Sequence, residues 1–341
     1  MALTFAEARA LHDEQCVIDL HADTAKLMDK IGYDLAARHE RVLPRGLNGL
    51  GHVDLPRLRD GGVAGQFFAF WTMPPLVDKL RDRGKKSVDA QLDVLDAAIA
   101  KNGKEIIWTR TGADVRAAKA AGRVAALGGI EGGQALDGRL DAIETFSRRG
   151  VRYLGLLHLW SNGLGGTSRG DPDRGLTAFG ADVIRECERC GIIVDLAHIN
   201  RRGFFEALDI ARRPVMVTHT GVNGVHKVWR NLDDDQIRAV AERGGCIGVI
   251  FAKQFLGGAT LDHVVAHVAH VIDVAGEDVP ALGSDFDGFV IPPRGLEDVA
   301  ALPNLTVALA AKFPIRVVEK IVGGNVLRVL DAVPAYGSLT A

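Results

Sequence analysis

The sequence has 341 residues, of which 47% are hydrophobic and 25% charged, and its formal net charge is -2. This composition is typical of a globular protein with enough apolar material for one large α/β domain or two ordinary ones. The near-neutral charge gives no electrostatic reason to expect nucleic acid or an anionic membrane as a partner.

The start of the chain and its cysteines predict the compartment. Residues 1–14 carry charges too close together for the apolar core of a signal peptide, and no run approaches the ~18 apolar residues of a membrane span. The cysteines are sparse, and the C-x-x-C of Cys187 and Cys190 lies in a helical pattern without a second pair. We therefore expect a cytoplasmic protein without a disulfide framework.

The first strong signal in chain order is a short apolar run at residues 17–20, which predicts a buried strand. It stops at His21 and Asp23, two metal-type ligands on the same side of an extended chain. Nitrogen and oxygen donors together suit a zinc-type ion. A strand end capped by polar residues explains the His21-x-Asp23 pattern equally well. The placement of the other histidines and carboxylates decides between the two interpretations.

Further apolar runs alternate with helical patterns along the rest of the chain. The runs are at residues 65–71, 124–130, 153–157, 192–197, 215–218, 246–250 and 280–283. Helical spacing is found at residues 76–101, 138–148, 176–190, 202–211, 234–243, 261–275 and 317–330, the last predicted to be a closing helix. Residues 24–60 are mixed, with turn signals at Pro44 and Gly46. Residues 163–175 are too rich in glycine and proline for regular structure, and we predict a mobile cover.

Eight short runs separated mostly by helices predict parallel strands with right-handed crossovers, closed into one (β/α)8 barrel over residues 1–341. A doubly wound open sheet also explains the alternation. However, six of the eight runs end at a histidine or an acidic residue, and a barrel gathers such residues at the carboxyl ends of its strands. These residues are His21, Asp23, Glu131, His158, His198, His219 and Asp285.

This set can supply a two-metal hydrolase, which needs ligands for each ion and a carboxylate that bridges ions ~3.5–4 Å apart. His21 and Asp23 suit the first ion, and His198 and His219 the second. His158, not a lysine, follows the fourth run, so the bridging task falls to Glu131.

The residues around these positions resemble the membrane (renal) dipeptidase family, zinc dipeptidases of the amidohydrolase-like superfamily (peptidase family M19). The matching segments are DLHADT (19–24), GIEGG (129–133), YLGLLH (153–158), DLAH (195–198), THT (218–220), RNLDD (230–234), GSDFDG (283–288) and GNVLR (324–328). Each is weak alone, but together they cover nearly the whole chain. The tail at residues 335–341 has no apolar segment for a lipid anchor, so we expect a bacterial-type, cytoplasmic member.

The resemblance implies a barrel with two zinc ions that hydrolyses dipeptides. It makes His21, Asp23 and Glu131 ligands of one zinc, and Glu131, His198 and His219 ligands of the other. It also makes His158 and Arg230 substrate contacts, and Asp285 the acid/base residue.

Physical chemistry gives each role a reason. Zinc lowers the pKa of bound water toward ~7, so a hydroxide is available to attack the peptide carbonyl. His158 could then stabilise the oxyanion, and Asp285 could pass the proton to the leaving amine. Asp287 is the competing acid/base residue, and Asp285 is preferred because it is nearer the strand end. The planar charge of Arg230 matches the free carboxylate of a dipeptide.

Several alternatives stay open at this point. Taken singly, His158 is more often a hydrogen-bonded core histidine, Arg230 a surface arginine and Glu131 a helix-start carboxylate. The rival functions are another metal-dependent hydrolase on the same barrel, acting on a cyclic amide, lactone or phosphoester, and a non-catalytic metal-holding barrel. Manganese or cobalt could replace zinc. The preferred dipeptide, the acceptance of a C-terminal D-residue and the formation of a homodimer are left open.

Overall fold

The apolar runs of the sequence form parallel strands whose side chains are nearly all buried. The computed structural model describes residues 3–40, 50–72 and 84–337. The strands in these ranges are β1 Val17–Ala22, β2 Val63–Trp71, β3 Ile106–Trp108, β4 Val124–Glu131, β5 Val151–Gly155, β6 Ile193–Asp195, β7 Met216–Thr220, β8 Cys246–Val249 and β9 Pro280–Leu282. Strands buried on both faces need a second layer, which the helices provide.

Eight of these strands close into a ring. Each pairs in parallel with its neighbour in the order β1, β2, β4, β5, β6, β7, β8, β9, and β9 pairs back with β1 through Asp19 and Leu282. The ring, surrounded by helices, is the predicted (β/α)8 barrel, and its closure excludes the open doubly wound sheet. The strand β3 was not predicted; it has three residues and pairs with the first residues of β4 outside the ring.

The helices occupy the connections between the strands. They are α1 Phe5–Glu14, α2 Thr24–Ile31, α3 Leu55–Asp60, α4 Gly84–Lys101, α5 Gly112–Ala120, α6 Asp141–Arg148, α7 Ala178–Arg189, α8 Arg201–Ile210, α9 Asp234–Glu242, α10 Lys253–Leu256, α11 Leu261–Ala275, α12 Leu302–Ala310, α13 Ile315–Glu319 and α14 Asn325–Ala332. The helical predictions between residues 84 and 275 are confirmed, and residues 76–83 lie outside the described residues.

The mixed region at residues 24–60 contains two short helices that were not predicted, α2 and α3. The predicted turn residues Pro44 and Gly46 lie outside the described residues. Residues 163–175 form turns and isolated bridges without a helix or strand, as their composition predicts. Nowhere in the described ranges is a helix both long and apolar enough to cross a membrane.

The C-terminal helical region covers the end of the barrel where the strands begin. The predicted single helix over 317–330 is interrupted by a π-helical turn, Lys320–Gly324. There the backbone comes so close to β1 that a Cβ on Gly323 would lie 1.7 Å from the Cys16 carbonyl oxygen. Beyond the turn, Arg328 of α14 donates to the carbonyls of Gly244 and Gly245, just before β8. The opposite, carboxyl ends of the strands are left to form the site.

Candidate metal centre

The carboxyl ends of the strands bring the seven predicted ligand-type residues to one end of the barrel. His21 lies in β1 and Asp23 directly after it, Glu131 ends β4 and His219 lies in β7. The others follow three residues after a strand: His158 after β5, His198 after β6 and Asp285 after β9. Six of the seven are buried, and the side chain of Asp285 is 13% exposed.

One carboxylate lies at the centre of this group. Glu131 Oε1 is 2.9 Å from His198 Nε2, 3.3 Å from His219 Nε2 and 3.8 Å from His21 Nε2. The other oxygen, Oε2, is 3.4 Å from His158 Nε2. Glu131 therefore lies among histidines from four strand ends.

Asp23 and Asp285 extend the cluster on the side of β1. His21 Nε2 is 3.4 Å from Asp23 Oδ1 and 3.8 Å from Asp285 Oδ1. In the described residues, three overlapping trios have ligand atoms close enough to share an ion. They are His21, Glu131 and His219; Glu131, His158 and His198; and His21, Asp23 and Asp285.

The chemistry of these atoms fits divalent metal ions. His198 Nε2 and His219 Nε2 face each other at 2.9 Å beside a carboxylate oxygen, an arrangement of lone pairs that a cation stabilises. His21 Nε2 and Asp23 Oδ1 are buried and have no hydrogen-bond partner among the described residues. Buried polar atoms are normally paired, so unpaired ligand atoms that converge fit a metal ion at this place. A nitrogen and oxygen ligand set suits zinc or a neighbouring transition metal.

Burial sets the protonation of the histidines. It lowers the pKa of His198 and of His219 well below the ordinary value, and the nearby charge of Arg230 acts in the same direction. It also lowers the pKa of His158, to about 3. These imidazoles are therefore neutral at pH 7, which is the state that a metal ligand requires.

Burial acts on the carboxylates in the opposite sense. It raises the pKa of Glu131 well above the ordinary value, and the negative charges of Asp23 and Asp285 raise it further. The pKa of Asp23 is raised by burial and by Asp287. Several buried carboxylates in one place repel each other unless a positive charge lies between them, so the cluster favours cations.

Two of the histidine rings are oriented by hydrogen bonds at their second nitrogen. Tyr153 OH lies 2.9 Å from His21 Nδ1. Thr218 Oγ1 lies 2.9 Å from His219 Nδ1 and itself donates to Asp195 Oδ2 at 2.8 Å. Because the Thr218 hydroxyl gives its proton to Asp195, it accepts from His219 Nδ1, so His219 Nε2 keeps its lone pair for a metal. The Tyr153 hydroxyl holds the orientation of the His21 ring.

The loop that carries Asp285 is held by a buried aspartate of β1. Asp19 accepts hydrogen bonds from Ser284 N at 2.8 Å and from Ser284 Oγ at 2.6 Å. Asp285 and Asp287 both adopt left-handed backbone conformations, with φ of 61° and 67°. Such conformations persist in non-glycine residues only where the surroundings hold them, so the loop is a built feature of the site.

Asp285 and Asp287 point into different environments. Asp285 lines a cavity of about 170 Å³ together with the metal-type ligands. Asp287 Oδ1 instead accepts from His52 N at 2.7 Å, and Oδ2 accepts from Thr24 Oγ1 at 2.6 Å. The geometry thus favours Asp285 for proton transfer, and Asp287 holds the loop in place.

The cavity has a charged wall and an apolar wall. Arg230 is buried, lines the cavity, and donates to the His219 carbonyl oxygen at 2.6 Å. The remaining lining residues are Asp23, Glu131, His158, Leu159, His198, His219, Ile250, Gln254, Phe255, Asp285, Gly288 and Val290. Ile250 and Val290 are buried, and Phe255 packs against them in a small apolar cluster at the cavity wall.

Several residues that support the site were not predicted to do so, namely Asp19, Tyr153, Asp195 and Thr218. Asp19 and Asp195 are charged residues inside apolar strand runs, and a buried charge must find hydrogen-bond partners. The need of these two aspartates for partners could be recognised from the sequence. The partners themselves could not, because they lie on other strands.

Comparisons with known proteins agree with this geometry. The membrane dipeptidase family, peptidase family M19, matches residues 5–340. An uncharacterised dipeptidase of Schizosaccharomyces pombe is 33% identical over 301 residues, which are 83% of this chain and 72% of that protein.

Solved structures give the same result. A metallopeptidase of Rhodobacter sphaeroides, liganded with a phosphinate mimic of the dipeptide L-Ala-D-Ala, is 29% identical, with a TM-score of 0.81 over 94% of this chain and 99% of that chain. A dipeptidase described as dipeptidase AC, of family M19, is 31% identical, with a TM-score of 0.80 over 93% of this chain and 98% of that chain. The resemblance found in the motifs is confirmed, and the chain belongs to the membrane dipeptidase family of metallopeptidases, peptidase family M19.

Proposed function

We propose that this chain is a binuclear zinc dipeptidase. The observation that carries the proposal is the position of Glu131, whose two carboxylate oxygens face histidines from four separate strand ends. His21, Asp23 and Glu131 would hold one ion, and Glu131, His198 and His219 the other. When bound, zinc ions supply an activated water and polarise the peptide carbonyl.

Arg230 would select the substrate. Its guanidinium carries a permanent charge in a buried position at the cavity wall, where a carboxylate gains most from a charged partner. A dipeptide presents its free C-terminal carboxylate close to its one peptide bond, so a carboxylate held by Arg230 places that bond at the site. The apolar wall of Ile250, Phe255 and Val290 would receive an apolar side chain of the substrate.

Asp285 and His158 would act on the reacting atoms. Burial raises the pKa of Asp285 to about 8, so its carboxyl can take up and release a proton near neutral pH. We assign it the transfer of a proton to the leaving amine. His158 is neutral, and its Nε2 at the cavity would donate a hydrogen bond to the oxygen that gains negative charge.

The phosphinate mimic of L-Ala-D-Ala bound to the Rhodobacter relative indicates which substrates to test first. We include dipeptides with an L- or a D-residue at the C-terminal position. All four cysteines are free, which is consistent with our proposal of a reducing compartment such as the cytoplasm.

The proposal is tested by metal analysis and by turnover of a substrate panel. We expect about two zinc ions per chain. Free dipeptides should be hydrolysed, and C-amidated dipeptides hardly at all, because they lack the carboxylate for Arg230. Lactones and phosphoesters should not be cleaved. The variant Glu131→Ala should lose hydrolysis and metal, whereas Glu242→Ala, at an exposed position of α9, should retain both.

Three results would contradict the proposal. Equal turnover of amidated and free dipeptides would remove the role of Arg230, and preference for a lactone or phosphoester would favour the rival hydrolases. Metal binding without turnover of any substrate would favour a non-catalytic barrel.

A further inference from the structure

The glycine-rich segment at residues 163–175 is attached to two histidines of the site. Thr167 is buried, and its Oγ1 lies 2.8 Å from the carbonyl oxygen of His158 and 3.0 Å from that of His198. Ser168 adds two donors to the His198 carbonyl, its N at 2.9 Å and its Oγ at 3.1 Å. One hydroxyl therefore connects the backbones that follow β5 and β6.

The backbone of His198 needs this support. Its φ is 66°, in the left-handed region that a residue with a Cβ adopts only when its surroundings hold it there. Thr167 also forms an isolated antiparallel bridge with Ile199, the next residue. The segment therefore holds the chain on both sides of the His198 carbonyl.

The ring of His198 differs from the other two histidine rings proposed to bind metal. His21 and His219 each have a hydrogen-bond partner at Nδ1, namely Tyr153 and Thr218. His198 Nδ1 is buried and has no partner in the ranges that the structure describes. Since no hydrogen bond at Nδ1 orients this imidazole, its direction depends on its backbone and on the contacts of Nε2 with Glu131 and His219.

We propose that Thr167 is a positioning residue of the metal centre, which aims His198 and His158 at Glu131 by holding their carbonyl groups. The inference rests on the proposed function, because it takes His198 as a metal ligand and His158 as a substrate contact. His198 Nε2 is 2.9 Å from Glu131 Oε1, and His158 Nε2 is 3.4 Å from Glu131 Oε2. Removing the hydroxyl releases the His158 carbonyl and takes one of three donors from the His198 carbonyl, so metal affinity and substrate binding change together.

The test compares zinc binding of the metal-free wild type with three variants. Thr167→Val removes the hydroxyl and keeps the shape, and Thr167→Ser restores the hydroxyl. Thr177→Val is the matched control, because the Thr177 hydroxyl also ties this segment, to the Gly163 carbonyl at 2.7 Å, but contacts neither histidine. Competition with a coloured chelator gives the affinity for each zinc ion.

We expect Thr167→Val to bind one of the two zinc ions about 10–100-fold more weakly, as is usual when a supporting group of a ligand is lost. Thr167→Ser and Thr177→Val should bind both ions like the wild type. With cobalt in place of zinc, Thr167→Val should also change the visible absorption of the bound metal, which follows ligand geometry. A general loss of stability would lower the zinc affinity of Thr177→Val as well, and it would weaken both ions and not just one.

Unchanged zinc affinities and cobalt absorption in Thr167→Val would overturn the inference and leave the proposed function intact. A wild type that binds no metal would instead overturn the proposed function. Should Thr167→Val not fold, Ser168→Ala decides, since it removes one of the remaining donors to the His198 carbonyl. Ser168→Ala must weaken the binding of one of the two zinc ions, and unchanged affinity for both ions overturns the inference.

Discussion

Two aspartates that stand two residues apart have opposite environments. Burial raises the pKa of Asp285 to about 8, and the nearby charge of Asp23 adds to this. Burial alone would also raise the pKa of Asp287, but hydrogen bonds with His52 and Thr24 hold it below the ordinary value. A carboxyl group that can be protonated near neutral pH suits acid/base catalysis, whereas a permanently charged and fully bonded one suits structural support.

Replacing each aspartate by asparagine should separate these roles. Asp285→Asn should lower kcat by about 10²–10⁴, the usual contribution of an acid/base group, without loss of metal or stability. Asp287→Asn should lower the free energy of unfolding by about 1–3 kcal/mol, because it disturbs buried hydrogen bonds. Steady-state kinetics, metal analysis and urea unfolding measure these effects. If the Asp287→Asn variant folds and has a lower kcat than Asp285→Asn, then Asp287 and not Asp285 is the acid/base residue.

The predictability of the site also differs from residue to residue. The convergence of His21, Glu131 and His219 could be predicted because each directly ends or follows an apolar run, and strand ends meet at one end of a barrel. Thr167 could not be predicted, because its two partners lie 9 and 31 residues away and hydrogen bonding to a carbonyl leaves no mark in composition.

At the scale of single elements, α1 shows how a helix outside the alternating pattern is attached. A capping box of Thr4 and Glu7 begins the helix, and His12 in its last turn is buried. The His12 ring lies 2.6 Å from the Gly61 carbonyl oxygen and 2.7 Å from Thr306 Oγ1. The neutral ring satisfies both partners, donating from Nδ1 to the carbonyl and accepting at Nε2 from the hydroxyl.

This attachment makes the stability dependent on pH. Burial lowers the pKa of His12 to about 4, from 6.5 in an unfolded chain, and the charges of Arg9 and Lys119 lower it further. The stabilisation is therefore complete above pH 6.5 and is lost as the pH falls toward 4, since the unfolded chain takes up the proton first. Between pH 7 and 5 the loss from this residue should be about 2 kcal/mol.

The variant His12→Gln should remove that part of the pH dependence. We expect its free energy of unfolding, measured with urea at both pH values, to fall by about 2 kcal/mol less than that of the wild type. The wild type should still be the more stable protein at pH 7. Equal decreases in the two proteins would show that the His12 ring accepts a proton without leaving its site.

The elements that were predicted correctly are those whose periodicity is long enough to be seen locally. The helix α11 spans 15 residues with a continuous apolar face, and its predicted bounds match those observed. The strand β3 has three residues and α3 has six, too few for a pattern to emerge. Their positions follow from packing against distant segments, as where the Gly61 carbonyl at the end of α3 contacts His12.

At the scale of the whole molecule, one end of the barrel contributes to stability and the opposite end carries the candidate site. The helix α14 packs its buried residues Val326, Val329 and Leu330 into a cluster with Ile18 and Leu20 of β1, where the strands begin. The proposed ligands all lie at the other end. Substitutions at the two ends should therefore have separable effects, as is common in (β/α)8 barrels.

Leu330→Ala tests this separation. The side chain is 1% exposed, so its truncation should lower the free energy of unfolding by about 2–5 kcal/mol. The partly buried Leu327 of the same helix is the control, and its replacement by alanine should have a smaller effect. Metal content and kcat/KM at low temperature should stay at the wild-type values in both variants. A loss of metal from folded Leu330→Ala protein would show that the two ends are coupled.

The pairing of β9 with β1 has a consequence for the order of events during refolding. The candidate zinc ligands come from residue 21 to residue 219, and the Asp19–Ser284 contact spans 265 positions. The ring that brings β1 and β7 to opposite sides of one site closes only through the β9–β1 pair, so we expect the ligand set to be complete only after this slow long-range step. Stopped-flow mixing of refolding protein with a zinc-sensitive dye should show capture of the metal lagging behind the recovery of helical circular dichroism.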